Sequence, residues 1–259
     1  MTTLIHPTAI IEKGAEIGSN VSIGAYSVIG ANAKIGDNNK IESHVVISGH
    51  TTVGESNHFF PFAAIGGPPQ SMAYKGEPTE VRIGDNNTFR ENVTVHCGTM
   101  DDEGITSVDN DNFIMAYCHI AHDCRLGSHI IFANCASLAG HCTIGDYVSL
   151  AGYALVHQFC RVGEHSFISA NSVCIQDVPP FTLAAGNRAT THGINARGLR
   201  RREFTSEEIM ELKRAYKTIY RSGLTTSKAL EQLEEKQDLS DHVKFLIDFM
   251  RTSKRGVIR

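Results

Sequence analysis

Residues 17–36 read Ile17-Gly-Ser-Asn-Val-Ser-Ile23-Gly-Ala-Tyr-Ser-Val-Ile29-Gly-Ala-Asn-Ala-Lys-Ile35-Gly, so an isoleucine followed by glycine returns every six residues. The same step of six meets an apolar residue at every position from Ile5 to Ile65 and, after two interruptions, from Val108 to Cys174. Neither an α-helix nor a β-strand has a period of six. A chain that turns a corner every six residues does, and stacked coils of such a chain bury a continuous apolar column.

Hexads of this form resemble those of left-handed parallel β-helix proteins, in which three hexads close one coil. The resemblance covers about residues 1–180. We therefore predict a mainly β protein built on a left-handed parallel β-helix. The glycine at a fixed place in the hexad is predicted to supply the permissive backbone angles of the corner.

Two segments break the period and are predicted to project from the helix as ligand-binding loops. Residues 66–82 contain three prolines, and residues 98–107 are polar. After Pro179-Pro180 the pattern becomes helical, with a capping box at Thr205-Ser-Glu-Glu208. The predicted helices span 207–222, 227–236 and 241–253. We therefore expect two domains, a β-helix over 1–185 and a C-terminal α-helical domain over 186–259.

Charge is divided unevenly between these two parts. Residues 1–185 carry 8 Lys and Arg against 18 Asp and Glu, a net of −10, whereas residues 186–259 carry 16 against 10, a net of +6. A basic end of this kind can meet phosphates or an acidic partner protein. No nucleic-acid-binding motif and no apolar run long enough for a transmembrane segment is present. Seven cysteines without a C-x-x-C pair or a visible export signal predict a reduced, cytoplasmic protein.

The histidines of the β-helix form the strongest candidate for a catalytic site. A coil of three hexads aligns Asp123 with His141, and it aligns His122 with Gly140 and, two coils away, with Gln158. Imidazole can take a proton from a hydroxyl, and a neighbouring carboxylate fixes its tautomer. The backbone amide of a glycine can face a developing oxyanion.

Two alternatives use the same region. The histidines could ligate zinc, as in the β-helix carbonic anhydrases, although Asp123 beside His122 and the long basic end disfavour a metal site. Three cysteines separated by one coil each, Cys124, Cys142 and Cys160, predict a buried column of small side chains, with a thiol site as the alternative.

Several motifs together are similar to those of the acyl-carrier-protein-dependent UDP-N-acetylglucosamine 3-O-acyltransferases, the enzymes of the first step of lipid A synthesis. The similarity spans essentially the whole chain. The motifs are His119-Ile-Ala-His122-Asp123-Cys124, Leu138-Ala-Gly140-His141, Val156-His157-Gln158-Phe159, Gln176-Asp-Val-Pro-Pro180, Gly186-Asn187, Gly198-Leu-Arg-Arg-Arg202 and Arg255-Gly-Val-Ile-Arg259.

This resemblance implies transfer of a 3-hydroxyacyl group from acyl carrier protein to the 3-hydroxyl of UDP-N-acetylglucosamine, in a homotrimer with active sites between subunits. His122 would be the general base, Asp123 would orient it, and the Gly140 amide would stabilise the oxyanion. The positions implied to bind substrate are His119, His141, His157, Gln158, Asn195, Arg201 and Arg202, with Ser71 in the first loop.

The resemblance also implies how acyl length is limited, where the carrier protein binds and which cofactors are needed. Ala170 would limit the length of the acyl chain, and the basic end would receive the carrier protein and the diphosphate. The acyl group arrives on the phosphopantetheine of the carrier, so no metal and no dissociable cofactor are expected.

Four positions depart from the pattern of the family. Ser71 and Ala73 stand where an Asp and a Lys are common, Arg197 stands where an acid is common, and Cys97 replaces an Arg after His96. These departures leave two alternatives open. The acceptor could be a UDP-sugar with an amine at the reacting carbon, or the chain could be a weakly catalytic paralogue that binds carrier protein or nucleotide sugar.

Overall fold

The computed structural model describes residues 3–235 and 238–259. Most of this chain forms a three-sided coil of very short strands, and each side of the coil is one sheet whose strands are parallel up to the last strand of the longest sheet. The sheets are called A, B and C in the order in which the chain visits them, and the strands are numbered along the chain.

Sheet A contains β1 (Leu4–Ile5), β4 (Ser22–Ile23), β7 (Lys40–Ile41), β10 (His58–Phe59), β13 (Thr88–Phe89), β16 (Phe113–Ile114), β19 (Ile131–Phe132), β22 (Ser149–Leu150), β25 (Phe167–Ile168), β27 (Thr182–Ala185) and β28 (Thr190–Ile194). Sheet B contains β2 (Ile10–Ile11), β5 (Val28–Ile29), β8 (Val46–Ile47), β11 (Ala64–Gly67), β14 (Thr94–His96), β17 (His119–Ile120), β20 (Ser137–Leu138), β23 (Leu155–Val156) and β26 (Val173–Cys174). Sheet C contains β3 (Glu16–Ile17), β6 (Lys34–Ile35), β9 (His50–Val53), β12 (Glu80–Ile83), β15 (Ile105–Val108), β18 (Arg125–Leu126), β21 (Thr143–Ile144) and β24 (Arg161–Val162).

The register confirms the prediction of a left-handed parallel β-helix with coils of three hexads. Ile23 pairs with Ile41, and Leu126 pairs with Ile144, in each case one coil further along the chain. The second residue of each short strand points inward, and from Ile23 onward these residues are buried. The column of Cys124, Cys142 and Cys160 has no exposed surface, which confirms its prediction as buried packing.

The predicted role of the hexad glycine is wrong at most corners. The left-handed residue of a corner comes two positions later and is usually not glycine, as at Tyr26 with φ of 59°. The glycine instead makes room for the next coil. A Cβ at Gly24 would lie 2.6 Å from the carbonyl carbon of Glu42, and one at Gly145 would lie 2.7 Å from the amide nitrogen of Glu164. Close approach of backbones therefore requires glycine here.

Two long connections interrupt the coils, in the regions where loops are predicted. The first joins β11 to β12 through residues 68–79, and the second joins β14 to β15 through residues 97–104. Tyr74 of the first connection packs against the β-helix core, while Met72 beside it is fully exposed.

Helical structure begins later than Pro179-Pro180 suggests. β27 extends sheet A beside β25, and β28 folds back antiparallel onto β27. In the described part of the chain, four helices follow: α1 (Ala196–Arg201), α2 (Ser206–Arg221), α3 (Thr226–Glu234) and α4 (Asp241–Arg251). The short helix α1 is absent from the sequence prediction because its six residues contain no apolar repeat. Within the described residues, none of the helices combines the length and apolarity that crossing a membrane requires.

The other helix predictions agree with the structure to within a few residues. The capping box of α2 is confirmed, since Thr205 accepts from the amide of Glu208 and donates its own amide to the Glu208 carboxylate. The predicted ends at 222 and 253 lie just beyond α2 and α4. The predicted last residue of the middle helix, Lys236, lies outside the described residues. The helices share a separate core that includes Leu212, Leu230 and Leu246.

Candidate active site

His122 and Asp123 form a hydrogen-bonded pair at the corner between β17 and β18. His122 Nδ1 lies 2.7 Å from Asp123 Oδ2. The backbone of Asp123 is left-handed, with φ of 59°, and its side chain turns inward with no exposed surface. A buried carboxylate on Nδ1 makes that nitrogen the N–H donor, so Nε2 carries the lone pair. The half-buried His122 therefore presents a basic nitrogen.

Thr99 holds the Asp123 carboxylate in place. Its backbone amide donates to Oδ1 at 2.8 Å, and its hydroxyl donates to Oδ2 at 2.7 Å. The hydroxyl of Thr106 accepts from the Asp123 amide at 2.8 Å. These three hydrogen bonds fix the position of the carboxylate and of the backbone that carries it. The sequence alone does not indicate Thr99, because the connection that carries it has no repeat to fix its position.

Gly140 lies directly against the His122 ring, as the alignment of coils predicts. A Cβ at this position would lie 2.6 Å from Cε1 and 2.8 Å from Nε2 of His122. The backbone at Gly140 does not need left-handed angles, so the ring alone excludes a side chain. Within residues 3–235 and 238–259, no group accepts a hydrogen bond from the Gly140 amide. The site thus contains a free N–H donor beside a basic nitrogen.

His141 occupies the same corner one coil further on and borders His122. The two rings are perpendicular, with centroids 5.0 Å apart. His141 Nε2 lies 3.7 Å from Asp123 Oδ2, and the ring stacks on Phe159 at 4.4 Å. The structure therefore brings together His122, Asp123, Gly140 and His141 in the way that the three-hexad coil predicts.

A second pair of histidines lies on sheet B beside His122. His96 and His119 contact edge to face, with ring centroids 4.8 Å apart. Burial, followed by the neighbouring His119 and His122, lowers the pKa of His96 to about 4. Burial, followed by His122, also lowers the pKa of His119, whose Nδ1 bonds the Thr94 hydroxyl at 2.7 Å. These two rings are therefore neutral near pH 7 and add no charge to the site.

The chemistry of the donor set can be compared with that of a metal site. One potential ligand set in the described residues is His122, Asp123 and His141, whose ligand atoms lie within 4.8 Å of one another. Both carboxylate oxygens of Asp123 already accept hydrogen bonds, and one of these bonds comes from His122 Nδ1. This arrangement fits a hydrogen-bonded His–Asp pair better than a coordination site, in which the ligand atoms must be free to face the ion.

A second cluster of predicted site residues lies on another side of the molecule. Asn195, Arg201 and Arg202 line a cavity of about 480 Å³ between α1 and sheet A. Tyr147 and His165, at corners between sheets C and A, form its wall. The remaining lining residues are Ile131, Ser149, Phe167, Leu183, Arg197 and Gly198.

This cavity combines a largely apolar lining with three arginines. The side-chain Nδ2 of Asn195 donates to the His165 carbonyl at 2.9 Å, and its Oδ1 caps α1 by accepting from the backbone N–H of Gly198. The Arg202 guanidinium lies over the Tyr147 ring at 4.6 Å. Three arginines and two aromatic rings are well suited to a diphosphate and a base. Tyr147 and His165 are absent from the sequence prediction, although their corner positions in the hexad could have indicated them.

The other predicted residues lie apart from both clusters. His157 and Gln158 are exposed two coils beyond His122 on its corner, where Arg255 of the C-terminal tail reaches His157 Nδ1 at 3.5 Å. Ser71 lies in the first long connection and accepts from the Ala73 amide. Ala170 is exposed at the corner between β25 and β26. A single copy of the chain thus does not bring all the predicted residues together.

Comparison with known proteins gives consistent matches over the whole chain. A family model described as Udp N-acetylglucosamine O-acyltransferase, domain 2, matches residues 177–258. The acyl-[acyl-carrier-protein]–UDP-N-acetylglucosamine O-acyltransferase of Janthinobacterium sp. is 53% identical over 99% of this chain and 100% of the relative. The protein of that name from Halorhodospira halophila is also 53% identical, over 99% of this chain and 100% of the relative.

Solved structures agree with these sequence matches. The crystal structure of Francisella novicida UDP-N-acetylglucosamine acyltransferase superposes with a TM-score of 0.96 at 42% identity, over 99% of this chain and 94% of that chain. Both the β-helix and the helical end therefore have counterparts in a solved structure.

Proposed function

The chain belongs to the acyl-[acyl-carrier-protein]–UDP-N-acetylglucosamine O-acyltransferase family, the enzymes of the first step of lipid A synthesis, and from this we propose how its residues carry out the transfer. The enzyme moves an acyl group from acyl carrier protein to UDP-N-acetylglucosamine. The observation that carries the mechanism is the His122–Asp123 pair lying against a glycine with a free amide.

His122 acts as the general base. Its Nε2 takes the proton of the sugar 3-hydroxyl while the sugar oxygen attacks the carbonyl carbon of the thioester. Asp123 holds Nδ1–H and stabilises the imidazolium that forms. Because Thr99 and Thr106 fix the Asp123 side chain and backbone, the base is oriented before the substrates arrive.

The Gly140 amide stabilises the oxyanion of the tetrahedral intermediate. A backbone donor of this kind requires no reorganisation when the charge develops. The intermediate then collapses: the carbon–sulfur bond breaks, the phosphopantetheine thiol leaves, and the proton on His122 passes to the departing sulfur. No metal and no dissociable cofactor takes part in this scheme.

We propose that the active site is completed by a neighbouring subunit of a homotrimer. Apart from Ile105, the outward side chains of sheet C are charged or polar, as at Lys34 and Arg82. Sheets A and B instead expose apolar side chains such as Ile131 and Leu155. The corner between sheets A and B carries a row of exposed aromatic rings. Its members Tyr26, Tyr117 and Tyr153 are each 62% exposed, and Phe62 is 56% exposed. Exposed apolar surface of this extent favours association.

A threefold ring covers all of this surface at once. If the A–B corner of each subunit points to the axis, sheet B of one subunit faces sheet A of the next. The corner that carries His122, between sheets B and C, then meets the Arg202 cavity of the neighbour at the outer rim. Ala170 lies on the inner corner, which suits a residue that limits an acyl chain running between two subunits.

The charge of the C-terminal end supports docking of the acidic carrier protein there. The net of +6 over 186–259 includes Arg255, which reaches the His122 corner from the tail. We also propose a cytoplasmic location, since all seven cysteines are free thiols and six of them are buried.

No observation in the described residues favours the amino-sugar or paralogue alternatives. Arg197 lines the cationic cavity, where it adds charge for a phosphate. The names of the relatives specify O-acyl transfer.

The activity is tested by mass spectrometry of products after mixing the protein with UDP-N-acetylglucosamine and 3-hydroxyacyl carrier proteins of graded length. We expect one hydroxyacyl group per sugar. His122→Ala should abolish product, whereas His6→Ala, an exposed histidine in the first coil, should not change it. Product formed only with the 3-amino sugar would show that the amino sugar is the acceptor. Binding of both substrates without product would favour the weakly catalytic paralogue.

Composition of the site from two subunits is tested with mixed trimers. Co-expression of His122→Ala chains with chains carrying Arg201→Ala and Arg202→Ala should restore activity, because some interfaces then contain an intact His122 and an intact arginine pair. If both halves of the site lay within one chain, every chain would keep a defect and the mixture would be as inactive as its parents. Light scattering should give a mass near three times 28.3 kDa.

A further inference from the structure

Asp102 links the second long connection, residues 97–104, to the corner that carries His122 and His141. Its Oδ2 lies 3.4 Å from His141 Nδ1, and its Oδ1 accepts from Arg125 Nη2 at 3.0 Å. Glu103 also pairs with Arg125, at 3.4 Å, but has no contact with His141 among the described residues. Asp102 is therefore the residue of this connection that joins Arg125 to the active site.

Asp102 determines how the His141 ring lies. The ring is only 11% exposed and stacks on Phe159 with an interplanar angle of 11°, which fixes its plane. A half-turn about the Cβ–Cγ bond keeps this plane but exchanges Nδ1 with Cδ2 and Nε2 with Cε1, so the groups that face the nitrogens select one of the two orientations. Asp102 faces Nδ1, while Asp123 lies 3.7 Å from Nε2. With Asp102 in place, one edge of the ring is directed at the His122–Asp123 pair.

Arg125 keeps the Asp102 carboxylate ionised and in position. The hydrogen bond from Arg125 is the main cause that lowers the pKa of Asp102, with a further contribution from His141, and partial burial opposes both. The carboxylate thus stays charged over the neutral pH range. Arg125 lies in β18, so the connection is fastened to the same coil that carries His122.

From this geometry we infer that Asp102 is a positioning residue for acyl transfer, which acts by holding His141 against the catalytic pair. The inference rests on the proposed function, since it assigns a role within the same active site. Asp102 touches neither substrate nor reacting atoms in this scheme. It fixes the His141 ring, which borders His122. A displaced ring would lower the rate of transfer, because the reaction depends on the orientation of the groups in the site.

The test compares Asp102→Asn with two neighbours. Asp102→Asn keeps the size of the side chain and removes the charge that faces His141 and Arg125. Glu103→Gln weakens only the Arg125 pair, and Asp101→Asn changes an exposed residue of the same connection. We expect kcat to fall about tenfold in Asp102→Asn and to change by less than about twofold in the controls. Thermal midpoints and the mass in solution confirm that each variant folds and assembles.

A double-mutant cycle with His141→Gln distinguishes positioning from a general structural role. If Asp102 acts through His141, then Asp102→Asn should cost less than about twofold in the His141→Gln background. An equal loss in both backgrounds, or an active parent enzyme that Asp102→Asn leaves unaffected, would overturn this inference alone. A parent enzyme without transferase activity would overturn the proposed function together with it.

Discussion

Replacing Gly140 by alanine should displace His122, the proposed general base, without disturbing the fold. The added Cβ would lie 2.6 Å from His122 Cε1, whereas ordinary contacts begin at 3.4 Å, so the ring must move by 0.8 Å. The Nδ1–Oδ2 distance to Asp123 is 2.7 Å, and the same displacement along that bond would stretch it to 3.5 Å. That length is at the limit of a hydrogen bond.

The expected result is a large loss of rate. A misplacement of about 1 Å can cost about 100-fold in kcat, equivalent to about 2.7 kcal/mol of barrier. KM for both substrates should change much less, because the substrate-binding residues are untouched. The folded state should remain intact, since the backbone at Gly140 lies outside the left-handed region and alanine can adopt its angles.

Steady-state rates from product mass spectrometry give kcat, and thermal unfolding gives the stability. The matched control is Gly30→Ala, which lies between sheets B and C near the start of the β-helix. There a Cβ would lie 3.2 Å from its nearest neighbour, the Ser48 Cα, and touches no group of the proposed site. Gly30→Ala should therefore keep full activity. A Gly140→Ala enzyme within about twofold of the parent kcat would refute the reasoning, because the ring would then tolerate the displacement.

Four further predictions follow from other parts of the structure. Ala170→Met should reduce transfer of the longest acyl chains by about tenfold or more while shorter chains react normally, as product profiles would show. Thr205→Ala should lower the free energy of unfolding by about 1 kcal/mol in urea titrations through loss of the α2 capping box. The Tyr220 hydroxyl is buried without a partner in the described residues, so Tyr220→Phe should leave stability unchanged or raise it by up to about 1 kcal/mol. Burial, then Arg202 and His242, lowers the pKa of His165 from 6.5 to about 4. Between these two pKa values the unfolded chain binds a proton that the folded chain does not. The free energy of unfolding therefore falls as pH drops from 6.5 toward 4. His165→Gln should flatten the pH dependence of the urea midpoint.

The period of six was sufficient to predict the β-helix because every coil repeats the same physical requirement. Each short strand needs one inward apolar residue, so the pattern returns without regard to what the rest of the chain does. The reason given for the glycine was wrong, because a sequence shows which residue is small but not what approaches it. Ile17-Gly18 and the hexads after it have the same pattern whether the glycine serves backbone angles or close contact with the next coil.

The contacts of His122 with Asp123 and Gly140 were predictable for a related reason. A coil of constant length converts sequence distance into spatial distance, which is why His122 could be placed against Gly140 and Asp123 beside His141. Thr99 and Asp102 were not predictable in this way. Both belong to the connection between β14 and β15, where the repeat is interrupted and sequence distance no longer measures position.

The sequence by itself therefore determined the β-helix, the helical end, the division of charge and the residues that meet at the His122 corner, since each follows from a local or strictly periodic pattern. Only the tertiary structure decided which residues support that corner and where the arginines lie. Arg201 and Arg202 follow a hairpin and a short helix that no period governs, and they line a cavity beside sheet A. Their separation from His122 depends on which side of a three-sided coil each residue occupies, and packing in three dimensions fixes that side.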